Sequence, residues 1–510
     1  MRKSKQIRIL MQFDRGTRIL RVVHGRDGRA TLSNCISTQI RTGAPPVRRH
    51  LAWLSAILLI VLVLALVPSQ LAFSHIDQQP ATTNAAARNA ALIAATQEVL
   101  KETSDLRQLS ILRPVQSSTQ SRAEIERAVV KNLDEDISPA DMHAAEVTLK
   151  KLGLVPQNFQ YRALMTRLLT EQVAGYYEPK TREFHLADWI DVDGQKPIMA
   201  HELTHALQDQ HFDLRRFEHW PKGDSDAELA AHALIEGDAT LAMVLYVSSN
   251  PMRALTFLKA LGATGVDTKE LDQAPRVLRE SLLFPYQEGL NWTRALYKQG
   301  GWQEVSQAFT TLPQSTEQVM HPEKYFAHEA PVKVTLPDIT NLLDSGSRVA
   351  AKSVPPASAG GLTTRVTWRR LASDVNGEWG TYLLLDEFLK SPTESRRAAA
   401  GWAGDRYAVY ESSSGQVVYV SVSAWDTEND AREFYEAYGK RTDLRYQLPV
   451  AMLMPIPANE KSATRTWNTK EGNVTANISG EQVIIIEGYP ETLTPDRLVT
   501  ALSQKPVVAR

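Results

Sequence analysis

Two histidines and a glutamate in the stretch Lys196 to Asp213, KPIMAHELTHALQDQHFD, have the types and spacing to do chemistry. Pro197 suits the first turn of a helix, where its missing N–H costs nothing, so the stretch is expected to be a helix opening there. On such a helix His201 and His205 lie about 40° apart around the axis and about 6 Å apart along it, so both imidazoles leave one face. Two neutral imidazoles so placed can bind one zinc ion. Glu202 falls where a carboxylate reaches a water on that metal without ligating it. Met199, Leu203, Ala206 and Leu207 give the same helix an apolar face for burial.

A hydrolytic zinc site needs a third protein ligand and an open position for water. His211 stands ten residues after His201, the spacing of the metzincin pattern. That pattern requires a glycine where this chain has Gln208, which favours continuing the helix. A continued helix turns His211 about 240° from His205 and out of reach. The alternative lies in the run Asp226 to Ser249, DAELAAHALIEGDATLAMVLYVSS, a largely apolar helix in which a carboxylate is costly unless paired or bound to metal. Glu228, His232 and Glu236 succeed one another at four-residue intervals on one face of it. Glu236 is favoured, with Gly237 expected to let the first helix approach closely.

HELTHAL followed by IEGDA resembles the gluzincin clan of zinc peptidases, the thermolysin-like group. The resemblance spans Lys196 to Ser249. It implies zinc held by His201, His205 and Glu236, with Glu202 as general base and a peptide or protein as substrate. In that clan an aspartate often stands where this chain has Thr240, so Thr240 or Asp238 is left to orient a histidine. A histidine or tyrosine beyond the third ligand stabilises the oxyanion in such enzymes, which makes Tyr286, His321 and Tyr325 the candidates. GYYEP, FPYQEG and STEQVMHPEKY are similar to segments of a group of bacterial proteins that share this core.

The elements that must position these residues imply an α+β protein, with a mainly helical zincin-like core over residues 78–342 that carries a small hairpin. Gly175 to Glu178 and Glu183 to Ala187 flank a turn and form that hairpin, and Phe184 to Ala187 is expected at the cleft rim. Gln78 to Ala87 is read as a tether and Asn89 to Gln116 as a long helix. Residues 343–361, rich in Ser, Ala, Pro and Gly, are read as a linker. A separate α+β domain follows over 362–510, with no metal or nucleophile constellation.

The N-terminal region decides location. Residues 1–50 carry 12 Lys/Arg against 2 Asp/Glu, and the remainder of the chain 45 against 56. A basic tail raises the question of nucleic acid. Residues 51–67, LAWLSAILLIVLVLALV, answer otherwise: 17 uncharged residues behind Arg48 and Arg49 read as a transmembrane signal-anchor or signal peptide, with the rest of the chain outside the cytoplasm. Residues 1–50 are then a cytoplasmic tail or an over-extended start. No nucleic-acid partner is expected, and the protein is expected in the cell envelope as a single-pass membrane protein, or secreted or periplasmic if the signal is cleaved. Cys35, the single cysteine, precedes the span, so the exported part has no disulfide framework. The competing reading is a non-catalytic zinc-binding envelope protein that works through its C-terminal domain.

Overall fold

The computed structural model describes residues 82–172, 175–189, 192–217, 220, 223–264, 269–353, 366–448 and 460–503. The expectations for the tail, the membrane segment and residues 354–361 lie outside these. Within them the chain is α+β, with a three-stranded and a six-stranded sheet.

The first half runs α1 (Thr82–Arg107), β1 (Gln116–Gln120), α2 (Arg122–Asp136), α3 (Pro139–Lys151), α4 (Tyr161–Gln172), β2 (Gly175–Glu178), β3 (Glu183–Ala187) and α5 (Val192–Phe212). It continues with α6 (Ser225–Ser248), α7 (Pro251–Thr264), α8 (Lys269–Gln273), α9 (Arg276–Ala308), α10 (Thr316–Met320), α11 (Pro322–Phe326) and α12 (Thr340–Ser353). Met199, Ala200, Leu203, Ala206 and Leu207 on α5 are fully buried against Leu92 and Val99 of α1 and Phe184 and Leu186 of β3. Alternation explains the sheet: Phe184 and Leu186 face α5, while His185 between them faces the other way toward Tyr176.

Helix α6 has the length and composition to cross a membrane, yet 67% of its most apolar window is buried inside the fold. It is a core helix, packed on α9 through Ala230, Ala233 and Leu234 against Trp292 and Leu296. The approach is close because two glycines meet. A Cβ on Gly237 would stand 2.3 Å from the Gly289 carbonyl oxygen, and one on Gly289 would stand 2.3 Å from that of Ala233. Gly237 therefore serves the contact with α9, not the expected one with the metal helix.

The second half comprises β4 (Trp368–Asp374), α13 (Gly377–Leu389), α14 (Pro392–Ala399), β5 (Trp402–Ser412), β6 (Val417–Trp425) and α15 (Glu428–Tyr446). β7 (Ser462–Thr469), β8 (Gly472–Ser479), β9 (Gln482–Tyr489) and α16 (Pro495–Leu502) complete it. The six strands are antiparallel in the order β4-β5-β6-β9-β8-β7. Both faces are covered, which is why β9 reads as the continuous apolar run Val483 to Ile486. Val483 and Ile485 meet α15, while Ile484 and Ile486 face the layer that contains Leu343 and Leu498.

The two halves share packing. Trp379, Tyr382 and Leu383 of α13 join the core around α6 and α9. Arg441 and Arg445 of α15 each ion-pair with buried Glu487 and donate to the carbonyls of Leu152 and Lys151 at the end of α3.

Several sequence expectations are corrected. α1 begins inside the expected tether and ends at Arg107, and Gln116 opens a strand. α5 starts at Val192, five residues before Pro197. Pro197 is tolerated there because the one bond it removes lies near the helix start. The expected linker is helical through Ser353. β3 is the central strand, paired with β1 on one side and β2 on the other, so β2 rather than β3 is the edge nearest the metal helix.

Candidate metal centre

His201 and His205 leave α5 one turn apart, their rings edge to face at 4.8 Å between centroids. Glu236 reaches them from α6. Three atoms converge: His201 Nε2 and His205 Nε2 are 3.2 Å apart, and Glu236 Oε2 lies 3.1 Å from the first and 3.5 Å from the second. A tetrahedral zinc with bonds near 2.05 Å sets its ligand atoms about 3.3 Å apart, so this triangle fits the ion. The donor set of two imidazoles and a carboxylate fits it chemically as well.

The tautomer of His205 is set from behind. Gln208 gives its amide N–H groups to two acceptors, the Ile235 carbonyl at 3.0 Å and Asp238 Oδ2 at 2.9 Å. Its Oε1 therefore faces His205 Nδ1, 2.9 Å away, and accepts the imidazole proton. Nε2 is left with its lone pair toward the centre. Asp238 is fully buried and held by Arg107, the last residue of α1, through Nε–Oδ1 at 2.5 Å and Nη2–Oδ2 at 3.1 Å. The Arg107 guanidinium also lies 4.4 Å from the Trp302 ring centroid. A chain of three residues from α1, α6 and α5 thus fixes His205, a candidate ligand. Of the two orienting candidates, Asp238 acts through Gln208, while the buried Thr240 hydroxyl has no hydrogen-bond partner among the described residues.

Burial opposes the charge on His205 and on Glu236, and mutual attraction outweighs it. Burial disfavours the His205 imidazolium, but the Glu236 carboxylate pushes its pKa up to about 9 in the metal-free protein. Burial likewise opposes ionisation of Glu236, yet His205 and His201 hold it well below the usual carboxylate range. A metal ion would take the place of that shared proton.

Glu202 lies beside the pair. Its Oε2 accepts the Tyr177 backbone N–H of edge strand β2 at 3.0 Å, which aims the carboxylate. Burial pushes its pKa upward, and His201 and His205 pull the other way. The Tyr177 side chain anchors the same strand by donating to Asp209 Oδ2 on α5 at 2.9 Å.

Tyr286 of α9 stacks on His201 with ring centroids 6.0 Å apart, and 43% of the residue is exposed. The Glu236 charge and burial raise its phenol well above the ordinary value, with Glu202 and a hydrogen bond to Glu236 adding to the effect.

The other sequence candidates are engaged elsewhere. His321 Nε2 bonds Glu378 at 2.9 Å, and Tyr325 donates to the Thr311 carbonyl at 2.7 Å with its ring edge-on to Trp292. His211 contacts the Ser110 carbonyl at 2.8 Å. The structure brings together His201, Glu202, His205, Glu236 and Tyr286. Sequence reasoning missed Gln208 and Arg107 as supports, and only the absence of glycine at 208 hinted at the first.

A second acidic group, Glu317, Glu329 and Asp426, also clusters tightly. Lys324 Nζ already fills it, at 2.7, 2.8 and 2.6 Å from the three carboxylates.

A family model described as Domain of unknown function (DUF8575) matches residues 364–498. That span covers the six-stranded sheet and none of His201, Glu202, His205 and Glu236. No curated protein and no solved structure matches the chain.

Proposed function

We infer that this chain is an exported, membrane-anchored zinc peptidase of the gluzincin type, with residues 78–342 as its zincin-like core. The observation that carries the reading is the triangle of His201, His205 and Glu236 ligand atoms with the Glu202 carboxylate beside it. Zinc bound there would acidify a water and polarise a peptide carbonyl.

The chain's own residues account for the rest. Glu202, held by the Tyr177 N–H and raised by burial, accepts a proton from the attacking water and returns it to the leaving amine. Tyr286 stays protonated through the neutral range and can donate a hydrogen bond to the developing oxyanion. Gln208, Asp238 and Arg107 keep His205 in the tautomer that a metal requires. Anchoring rests on the apolar run 51–67 and the basic residues before it.

Glu202→Gln is the direct test. Hydrolysis of a mixed peptide library should disappear while metal content and melting temperature stay at the wild-type level. Retained hydrolysis would remove Glu202 from the chemistry.

A further inference from the structure

The C-terminal end of α5 carries a positive cavity separate from the metal ligands. It has a volume of about 460 Å3 and is lined by Arg113, Arg182, Arg215 and Arg216. Arg113 follows α1, Arg182 sits in the turn between β2 and β3, and Arg215 and Arg216 occupy the 3-10 turn Leu214–Phe217 after α5. Three segments thus bring like charges to one depression, an arrangement that repels itself unless anions lie between them.

The lining includes two carboxylates, Asp209 and Asp213. Asp209 is buried and fully engaged. Its Oδ2 accepts from Arg113 Nη2 at 2.6 Å and from the Tyr177 hydroxyl at 2.9 Å, and its Oδ1 from the Leu214 N–H at 3.2 Å. Asp213 pairs with Arg215 at 3.0 Å. Among the described residues Arg182 has no side-chain partner, and Arg216 donates only to the Phe309 carbonyl. Two guanidinium charges therefore remain without a carboxylate.

Two of the arginines are also held in place. Gln210 accepts the Arg113 backbone N–H at 3.0 Å and donates to its carbonyl at 3.1 Å. The Arg216 guanidinium lies 4.6 Å from the Phe217 ring centroid. A guanidinium has five N–H donors, so both keep donors to spare for a ligand. The stacked rings of Phe212 and Phe309 line the same cavity, and apolar surroundings strengthen a charge-assisted bond. Helix polarity accounts in part for Arg215 and Arg216, because the carbonyl end of α5 attracts cations. It does not account for Arg113 and Arg182, which arrive from other elements. Arg182 also has a φ of 61°, a left-handed conformation that glycine would adopt more cheaply.

We propose that this cavity is a phosphate-binding site, taking inorganic phosphate or the phosphate group of an ester between Arg113, Arg182 and Arg216. A tetrahedral phosphate offers oxygens in several directions at once, which suits donors converging from separate segments. A planar carboxylate is matched by a single guanidinium fork. The cavity is much larger than a bare phosphate, so the remainder of an ester has room. Binding there does not depend on the metal centre.

The test titrates the full chain in nonionic detergent by calorimetry with inorganic phosphate, glycerol phosphate and dihexanoylphosphatidylglycerol. Inorganic phosphate or glycerol phosphate should bind at low salt with a dissociation constant on the order of millimolar or tighter, and more weakly as chloride is added. Arg182→Gln should weaken that binding on the order of tenfold, and Arg182→Glu should abolish it. Both should melt as the wild type does, since Arg182 is exposed and its side chain holds nothing else among the described residues. Arg162→Gln, which breaks a pair with Asp134 outside the cavity, should leave binding unchanged.

Binding of the lipid alone, with the same sensitivity to Arg182, supports the site and makes its source a lipid headgroup. No binding of any probe, or binding as tight in Arg182→Glu as in the wild type, would overturn the site. So would binding that chelation of zinc removes and the arginine variants do not, because the phosphate would then sit on the metal.

Discussion

Replacing Gln208 by leucine isolates the support behind the candidate metal centre. Three hydrogen bonds are lost, to His205 Nδ1, the Ile235 carbonyl and Asp238 Oδ2. The Ile235 carbonyl lies within α6, and Asp238 keeps both bonds from Arg107, so the cost concentrates on His205. An orphaned buried N–H costs about 1–3 kcal/mol, and lost support of a metal ligand lowers affinity about 10- to 100-fold, or about 1.4–2.8 kcal/mol; the two figures agree. Competition for zinc against a chromophoric chelator measures this directly. Gln208→Glu supplies the discriminating control. It keeps an acceptor for His205 but sets a second carboxylate beside Asp238, so it should retain zinc better than the leucine variant and melt lower than wild type. Wild-type zinc affinity in Gln208→Leu would refute the idea that this chain of contacts tunes the centre.

Further predictions concern other parts of the molecule. Gly237→Ala puts a methyl 2.3 Å from the Gly289 carbonyl, so α6 and α9 must separate; a loss of at least about 2–3 kcal/mol in denaturant unfolding is expected, along with weaker zinc binding as Glu236 is displaced. Tyr286→Phe should lower kcat about 10- to 100-fold with zinc content unchanged, and equal activity would remove the phenol from the chemistry. Burial pushes Asp226 up to about 8 despite hydrogen bonds from Thr316. Between pH about 4 and 8 the unfolded chain therefore loses a proton that the folded one keeps, a penalty of up to roughly 4 kcal/mol at pH 7. Asp226→Asn should thus gain melting temperature relative to wild type at pH 8 but not at pH 4, and a gain independent of pH would contradict the buried neutral acid.

Glu487 carries the opposite sign. Burial opposes its charge, but Arg441, Arg445 and Lys151 hold its carboxyl down at about 2. Its contribution is present above pH about 4.5 and fades as pH falls toward 2. Glu487→Gln leaves Arg441, itself fully buried, without its carboxylate partner, and should cost about 3–5 kcal/mol at neutral pH. Equilibrium unfolding should show that cost shrinking on acidification.

The parts of the site legible in the sequence were those governed by local periodicity. Four-residue spacing puts His201 and His205 on one face, and the cost of a carboxylate in an apolar helix points to α6, where Glu228, His232 and Glu236 share a face and Glu236 is favoured beside Gly237. Gly237 was recognised as a close-approach residue, but which helix it meets is a tertiary matter, and that helix is α9. Strand β1 was missed because Gln116–Gln120 has no apolar alternation; it exists through parallel pairing with β3, some 67 residues on. Arg107 lies 131 residues from Asp238, beyond any pattern in sequence. His321 and Tyr325 had suitable side chains, but the nearby Glu378 and Thr311 claim them. Residues 343–353, expected as the first part of a linker, belong to the helix Thr340–Ser353, because small residues that suit a flexible chain also suit a helix.

The central claim is that His201, His205 and Glu236 form one zinc site. Elemental analysis of purified residues 75–510 after zinc-replete preparation, wild type beside Glu236→Ala, tests it most directly. About one zinc per chain, lost in the variant, is the predicted result. No zinc in the wild type, or zinc unaffected by removing Glu236, would contradict it.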